Sequence, residues 1–203
     1  MAGSNLTLTE ATERAELLRV HSYDVQLDLT DGGGKPGDVT FRSRTEIRFS
    51  CVRHGAETFV DLRAGGVRSA TLNGTPVDVS GYDPQTGLVL AGLAAENVLT
   101  VDADCRYTNT GEGMHRFVDP VDNEVYLYSQ FETADAKRVY ACFDQPDIKA
   151  EFTFHVTAPR HWEVVSGAVA ERVEDGPGGA QVVHFAFVNR VSAERWTADV
   201  SFE

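Results

Sequence analysis

The chain lacks most of the features that commit a sequence early to a class. No apolar run approaches the roughly 18 residues needed to span a bilayer. The first twenty residues, MAGSNLTLTEATERAELLRV, hold no basic segment followed by an apolar one, so neither a membrane span nor an export signal is expected. Cysteine is scarce: Cys51, Cys105 and Cys142 are odd in number, far apart and without a C-x-x-C pair. That argues against a disulfide framework and for reduced thiols in a cytoplasmic protein. Basic residues are also short, with 18 Lys+Arg against 31 Asp+Glu, for a net charge of −13. Such a chain repels phosphate backbones and anionic lipid, which excludes nucleic acid and membrane surfaces as expected partners.

The motifs of several chemistries are missing as well. The six histidines, His21, His54, His115, His155, His161 and His184, show no H-x-x-x-H pairing and no HExxH helix. Cys51 and His54 are three apart but have no second pair at zinc-finger spacing, so no metal ligand is expected. There is no G-x-S-x-G elbow. The glycine-rich run Asp31 to Asp38, DGGGKPGD, lacks the Lys-Ser/Thr end and following helix of a phosphate-binding loop.

What the chain does have is alternation. After one short helix, signalled by Thr7 and Glu10 in capping-box spacing and expected to end near Arg19, the period falls to two. Tyr23, Val25, Leu27 and Leu29 share one face of a strand. Val39, Phe41, Thr45, Ile47 and Phe49 share one face of a second, antiparallel to the first. Short strands follow at Thr58 to Leu62, Val67 to Leu72, Leu88 to Leu90, Val98 to Asp102, Tyr126 to Ser129, Glu151 to Thr157, Trp162 to Val165, Gln181 to Phe187 and Thr197 to Phe202. Asn73-Gly74 marks a tight hairpin between two of them. Many short strands punctuated by turns predict an all-β fold, an antiparallel sandwich or saddle with a short N-terminal helix. With no repeat and no linker, residues 1–203 read as one domain, long enough to bury roughly 70% of its unfolded surface.

Chemistry concentrates in Tyr126 to Phe154, YLYSQFETADAKRVYACFDQPDIKAEFTF, where Ser129, Gln130 and Glu132 interrupt the alternation. In an extended chain Gln130 and Glu132 project to the same side, about 7 Å apart, and can line one pocket. A carboxylate there can grip an α-ammonium through a charge-assisted bond worth about 1.5 to 3 kcal/mol. From the residues alone, Glu132 is equally a solvated strand-end carboxylate or a partner for Arg138 or Lys137. The run Gly111 to Phe117, GEGMHRF, reads either as a mobile loop over the site or as a glycine-rich connection.

Three blocks, Arg14 to Thr30, Cys105 to Glu132 and Asp135 to Phe154, together with the turn at Leu72 to Thr75, resemble the N-terminal domain of the aminopeptidase N family of zinc metallopeptidases, in order and at similar spacing. The likeness covers roughly residues 5–165 and fades from about Val188. The resemblance implies that Glu132 holds the substrate's free amine and that Gln130 lines the pocket for its first side chain; Tyr126 and Tyr128, on the same strand, are candidate lining residues of an open pocket if the domain binds an amine-bearing molecule by itself. It implies that Asp144, Pro146 and Lys149 are structural. It further implies zinc in a separate catalytic domain, since the family's exopeptidase motif and HExxH are not in this chain, so this chain alone is expected to lack peptidase activity. Expected partners are a peptide N-terminus and that catalytic domain, or a second copy through an exposed apolar face. A reading from another class is a stand-alone β-sandwich that binds or transforms an amine-bearing small molecule without metal, with Glu132 as its acid or base.

Overall fold

The structure is a computed structural model that describes residues 6–193 and 198–201. Helix α1 spans Leu8–Leu17 and opens on the expected capping box: the Glu10 N–H donates to the Thr7 hydroxyl, while the Thr7 N–H donates to the Glu10 carboxylate at 2.9 Å. It stops two residues before Arg19 because Leu18 is already extended. No described helix is long and apolar enough to cross a membrane.

Fifteen strands follow among the described residues: β1 Leu18–Asp28, β2 Thr40–Cys51, β3 Thr58–Val60, β4 Gly66–Leu72, β5 Thr75–Pro76, β6 Leu88–Leu90, β7 Glu96–Arg106, β8 Gly113–Val118, β9 Val125–Gln130, β10 Ala150–Ala158, β11 Glu163–Ser166, β12 Ala170–Asp175, β13 Gln181–Phe185, β14 Val188–Val191 and β15 Ala198–Ser201. The all-β class is as the sequence predicts. The larger sheet runs β12-β13-β10-β1-β2-β7-β4-β5, with β14 also on β10, a smaller one runs β11-β15-β9-β8, and β3 pairs with β6. Asn73 and Gly74 take the positive φ values, 54° and 80°, that the β4–β5 hairpin requires. Of the last strand expected from the sequence, Thr197 and Phe202 lie outside the described residues.

Within that class one pairing is parallel. β1 and β10 run together from Ser22 opposite Glu151 to Asp28 opposite Thr157, which makes the larger sheet mixed. A parallel pair needs a crossover, and here the whole segment from β2 to β9 supplies it. Alternation along one strand cannot show this, because it fixes the face but not the partner. The face itself is as expected: Tyr23, Val25, Leu27 and Leu29 are all buried, and Tyr23 stacks on its register partner Phe152 at 4.5 Å. Val20 joins them although it is three residues from Tyr23, because the register slips between Val20 and Ser22. Val39, expected inside with Phe41, is exposed instead, since the chain enters β2 only at Thr40. Strands β12 and β14 were not expected; β12 is exposed along its whole length and carries no apolar stripe to announce it.

The core is pinned at one end by a buried ion pair. Arg14 of α1 places Nη1 2.8 Å from the Asp61 carboxylate, with side chains only 2% and 11% exposed. Its Nε donates to Gln145 Oε1, and its guanidinium lies over the rings of Phe59 and Phe143 at 4.8 and 5.6 Å. Asp61 also accepts the Asp144 N–H at 3.0 Å, and Gln145 Nε2 donates to the Ala11 carbonyl. Removing one partner of such a pair leaves an uncompensated buried charge. Arg14→Met is therefore expected to cost about 3 to 5 kcal/mol, read as a lower urea midpoint at unchanged slope. All three cysteines are free and buried, and burial pushes the Cys105 thiol up to about 12 and the Cys142 thiol well above its usual range. The folded protein is expected to resist iodoacetamide at pH 8 and to take up three equivalents once unfolded in urea.

Candidate functional site

The region around Glu132 is built on β9. In the run Val125 to Gln130, Leu127 and Ser129 turn inward, while Tyr128 and Gln130 turn outward. The alternation continues past the strand: Phe131 is buried, Glu132 is exposed, and the Glu132–Thr133 peptide bond is cis. Gln130 and Glu132 thus lie on the same, solvent side of Phe131, as the period-two reading implies. Phe131 fixes that point of the chain by packing edge-on against Tyr140 at 5.8 Å, and the Tyr140 hydroxyl donates to the Ala193 carbonyl at 2.7 Å.

The run GEGMHRF proves to be a strand rather than a loop. β8 pairs with β9 from Gly113 opposite Gln130 to Val118 opposite Val125, which places His115 beside Tyr128 and Phe117 beside Tyr126. The His115 and Tyr128 rings stack at 4.6 Å. Tyr128, Phe117 and, on β11, Val165 leave an outer face with aromatic and aliphatic surface exposed. His115 and Phe117 are two residues apart, so the alternation was there to be read; the glycines on either side of Glu112 concealed it. Tyr126 belongs to the same strand, but six residues separate it from Glu132, roughly 20 Å at strand rise. Its hydroxyl donates to Asp122 at 2.8 Å. Tyr128 and Gln130 stand in the half of β9 that leads to Glu132, and Tyr126 stands near its other end.

One nearby cation is engaged elsewhere. Arg138 pairs with Glu112 at 2.6 Å and with Asp135, and its aliphatic stem crosses Gly113. A Cβ on Gly113 would meet Arg138 Cβ at 2.8 Å, and Gly113 itself holds φ at 65°. Glu132 is exposed, and among the described residues its carboxylate has neither a hydrogen bond nor an ion pair. The Gln130 side chain makes no hydrogen bond to a described residue either. A groove of about 520 Å³ does exist, but it lies between α1 and the β3/β6 pair, lined by Arg14, Leu17, Phe59 and Val89 among others. No three or more His, Cys, Asp or Glu side chains come together as a metal site among the described residues.

Glu132 is thus an exposed acid just past the end of β9, on a sheet whose outer face leaves Tyr128 and Phe117 exposed. Residues 20–193 match the Peptidase M1 N-terminal domain family. The chain belongs to that family. It is 50% identical over 176 residues to aminopeptidase N of Streptomyces lividans, an alignment covering 86% of this chain and 20% of that protein. It is 29% identical over 160 residues to aminopeptidase N of Lactobacillus delbrueckii subsp. lactis, covering 76% and 18% of the two chains. Tricorn protease-interacting factor F2 of Thermoplasma acidophilum is 23% identical over 160 residues, with the same coverage. The M1 N-terminal domain described here thus spans about a fifth of the length of the curated relatives it matches. Its family match runs past Val188 to residue 193, further than the sequence blocks alone suggested.

The closure of β8 onto the Glu132 segment rests on Gly113. Gly113→Ala adds a side chain at positive φ and into the Arg138 stem, and is expected to destabilise the domain by more than about 1 kcal/mol. Thermal unfolding checks the loss, and Gly111→Ala, whose added Cβ would touch only the Tyr128 hydroxyl at 3.6 Å, serves as the milder comparison.

Proposed function

We propose that this M1 N-terminal domain is the substrate-amine-binding part of a zinc aminopeptidase, with Glu132 gripping the α-ammonium of a peptide and Gln130 lining the pocket for its first side chain. One observation carries the reading: Glu132 is an exposed carboxylate with no hydrogen bond or ion pair among the described residues, while Arg138 is taken by Glu112 and Asp135. An internal ion pair would have consumed its charge, so the bland alternative of a structural partner for Arg138 loses its support. A solvated acid is cheap to bring to an ammonium group, and selecting that group over an internal amide restricts cleavage to the first residue.

The face that presents Glu132 is open, so a pocket there needs a second wall. The exposed Tyr128, Phe117 and Val165 surface suits contact with a catalytic domain of the kind aminopeptidases carry. The described residues offer no ligand set for the zinc of that family, so in this reading the metal is held by the catalytic domain and no bond-breaking step falls to this chain. Stacking of His115 on Tyr128 stiffens the ring nearest to Gln130. Holding the amine and the first side chain at fixed separation is a positioning role, of the type that converts binding into orientation.

In a protein joining this domain to its catalytic domain, Glu132→Ala is expected to lower kcat/KM for amino-acid p-nitroanilides at least tenfold, and Gln130→Ala to change the preference among first residues more than the overall rate. Steady-state kinetics with a panel of substrates checks both. Wild-type kinetics in the Glu132 variant, with its fold intact by circular dichroism, would remove Glu132 from substrate recognition.

A further inference from the structure

The polar side of the larger sheet carries a row of four titratable side chains on four adjacent strands: Asp24 on β1, His155 on β10, His184 on β13 and Glu174 on β12. His155 and His184 face each other directly in the β10/β13 register, and their Nδ1 atoms are 2.7 Å apart. Asp24 Oδ2 lies 3.3 Å from His155 Nε2, and Glu174 Oε1 lies 2.9 Å from His184 Nε2. The row is therefore carboxylate, imidazole, imidazole, carboxylate.

Proton counting makes this arrangement informative. An ionised carboxylate only accepts hydrogen bonds, so the ring nitrogen facing it carries the proton. Each far nitrogen faces a carboxylate oxygen, Asp24 Oδ2 for His155 and Glu174 Oε1 for His184, and Arg172 Nε lies 3.5 Å from Glu174. Both rings are then Nε2–H donors, and their two Nδ1 lone pairs converge. Lone pairs at that distance repel unless a cation lies between them. A proton can fill the gap, but the pattern of an imidazole whose far nitrogen donates to a carboxylate is also the one that metal-ligating histidines use to fix their tautomer and orientation.

We propose that His155 and His184 form a cross-strand site for a divalent transition ion of the imidazole-preferring kind, such as Cu²⁺, Ni²⁺ or Zn²⁺, bound through both Nδ1 atoms. Asp24 and Glu174 orient the rings, and solvent completes the coordination. At metal–nitrogen distances of about 2.0 to 2.1 Å, adjacent ligands stand roughly 2.9 to 3.4 Å apart. A small ring rotation opens the pair to that span. The two side chains are 24% and 17% exposed, so an ion can reach them from solvent.

The experiment is a titration of the untagged 203-residue chain with Cu²⁺, followed by calorimetry and by electron paramagnetic resonance. The expected result is one ion per chain and a spectrum with hyperfine coupling to two nitrogens. His155→Ala and His184→Gln should each weaken binding at least tenfold and leave a single coupled nitrogen, while Asp24→Asn should weaken it roughly tenfold with both nitrogens retained. Binding of undiminished affinity in the His155→Ala/His184→Gln double variant would assign the ion to another histidine and overturn the proposal. So would the absence of any binding at tens of micromolar Cu²⁺.

Discussion

The Arg14–Asp61 ion pair is the constraint on which the presentation of Glu132 depends. It joins the N-terminal helix to a backbone strip that would otherwise be a long irregular connection between β9 and β10. Asp61 receives the Asp144 N–H, its backbone exchanges hydrogen bonds with Cys142, and Arg63 donates to the Lys137 carbonyl. Asp144 in turn accepts the Lys137 N–H at 3.2 Å, and the Tyr23 hydroxyl accepts the Phe143 N–H. A charge pair buried this deeply repays its desolvation only when its remaining donors and acceptors are satisfied; Gln145 takes the Arg14 Nε–H and Asp61 accepts the Asp144 N–H, while Arg14 Nη2 is left without a hydrogen-bond partner among the described residues. The same contacts hold residues 137–145 rigidly against the core, so the short span back to Phe131 and Glu132 starts from a fixed point.

From that anchor the logic passes to charge allocation. The strip carries Asp135, Lys137 and Arg138 within seven residues of Glu132, and any pairing among them decides which acid is left over. Gly113 offers the Arg138 stem a floor without a Cβ, and Glu112 and Asp135 hold its guanidinium. A surface ion pair of this type contributes little to stability by itself. Its consequence is electrostatic: the cation is neutralised on the β8 side, and the carboxylate at the end of β9 remains available to a cation from outside.

The sequence made much of this legible. The capping box at Thr7 and Glu10, the buried run Tyr23 to Leu29 and the Asn73-Gly74 hairpin all follow local rules, and local rules suffice where one residue's neighbours are three or four positions away. The placement of Gln130 and Glu132 on one side of Phe131 is of this kind. What escaped has equally physical causes. β8 was hidden by two glycines, and the role of one of them, Gly113, is to leave room for Arg138, 25 positions on. β12 was hidden because an edge strand exposed along its length needs no apolar stripe. The parallel β1/β10 pair could not be seen because two half-buried strands look alike whichever way they run.

By itself the sequence determined the all-β class and the faces that turn inward, since periodicity, capping and turn chemistry act over a few residues and are written in order along the chain. Only the tertiary structure decided which groups meet. Arg14 finds Asp61 and Gln145, His155 finds His184, and Arg138 finds Glu112. These encounters join residues up to 131 positions apart. They are fixed by strand order and register, which depend on the packing of the whole core rather than on any local run of side chains.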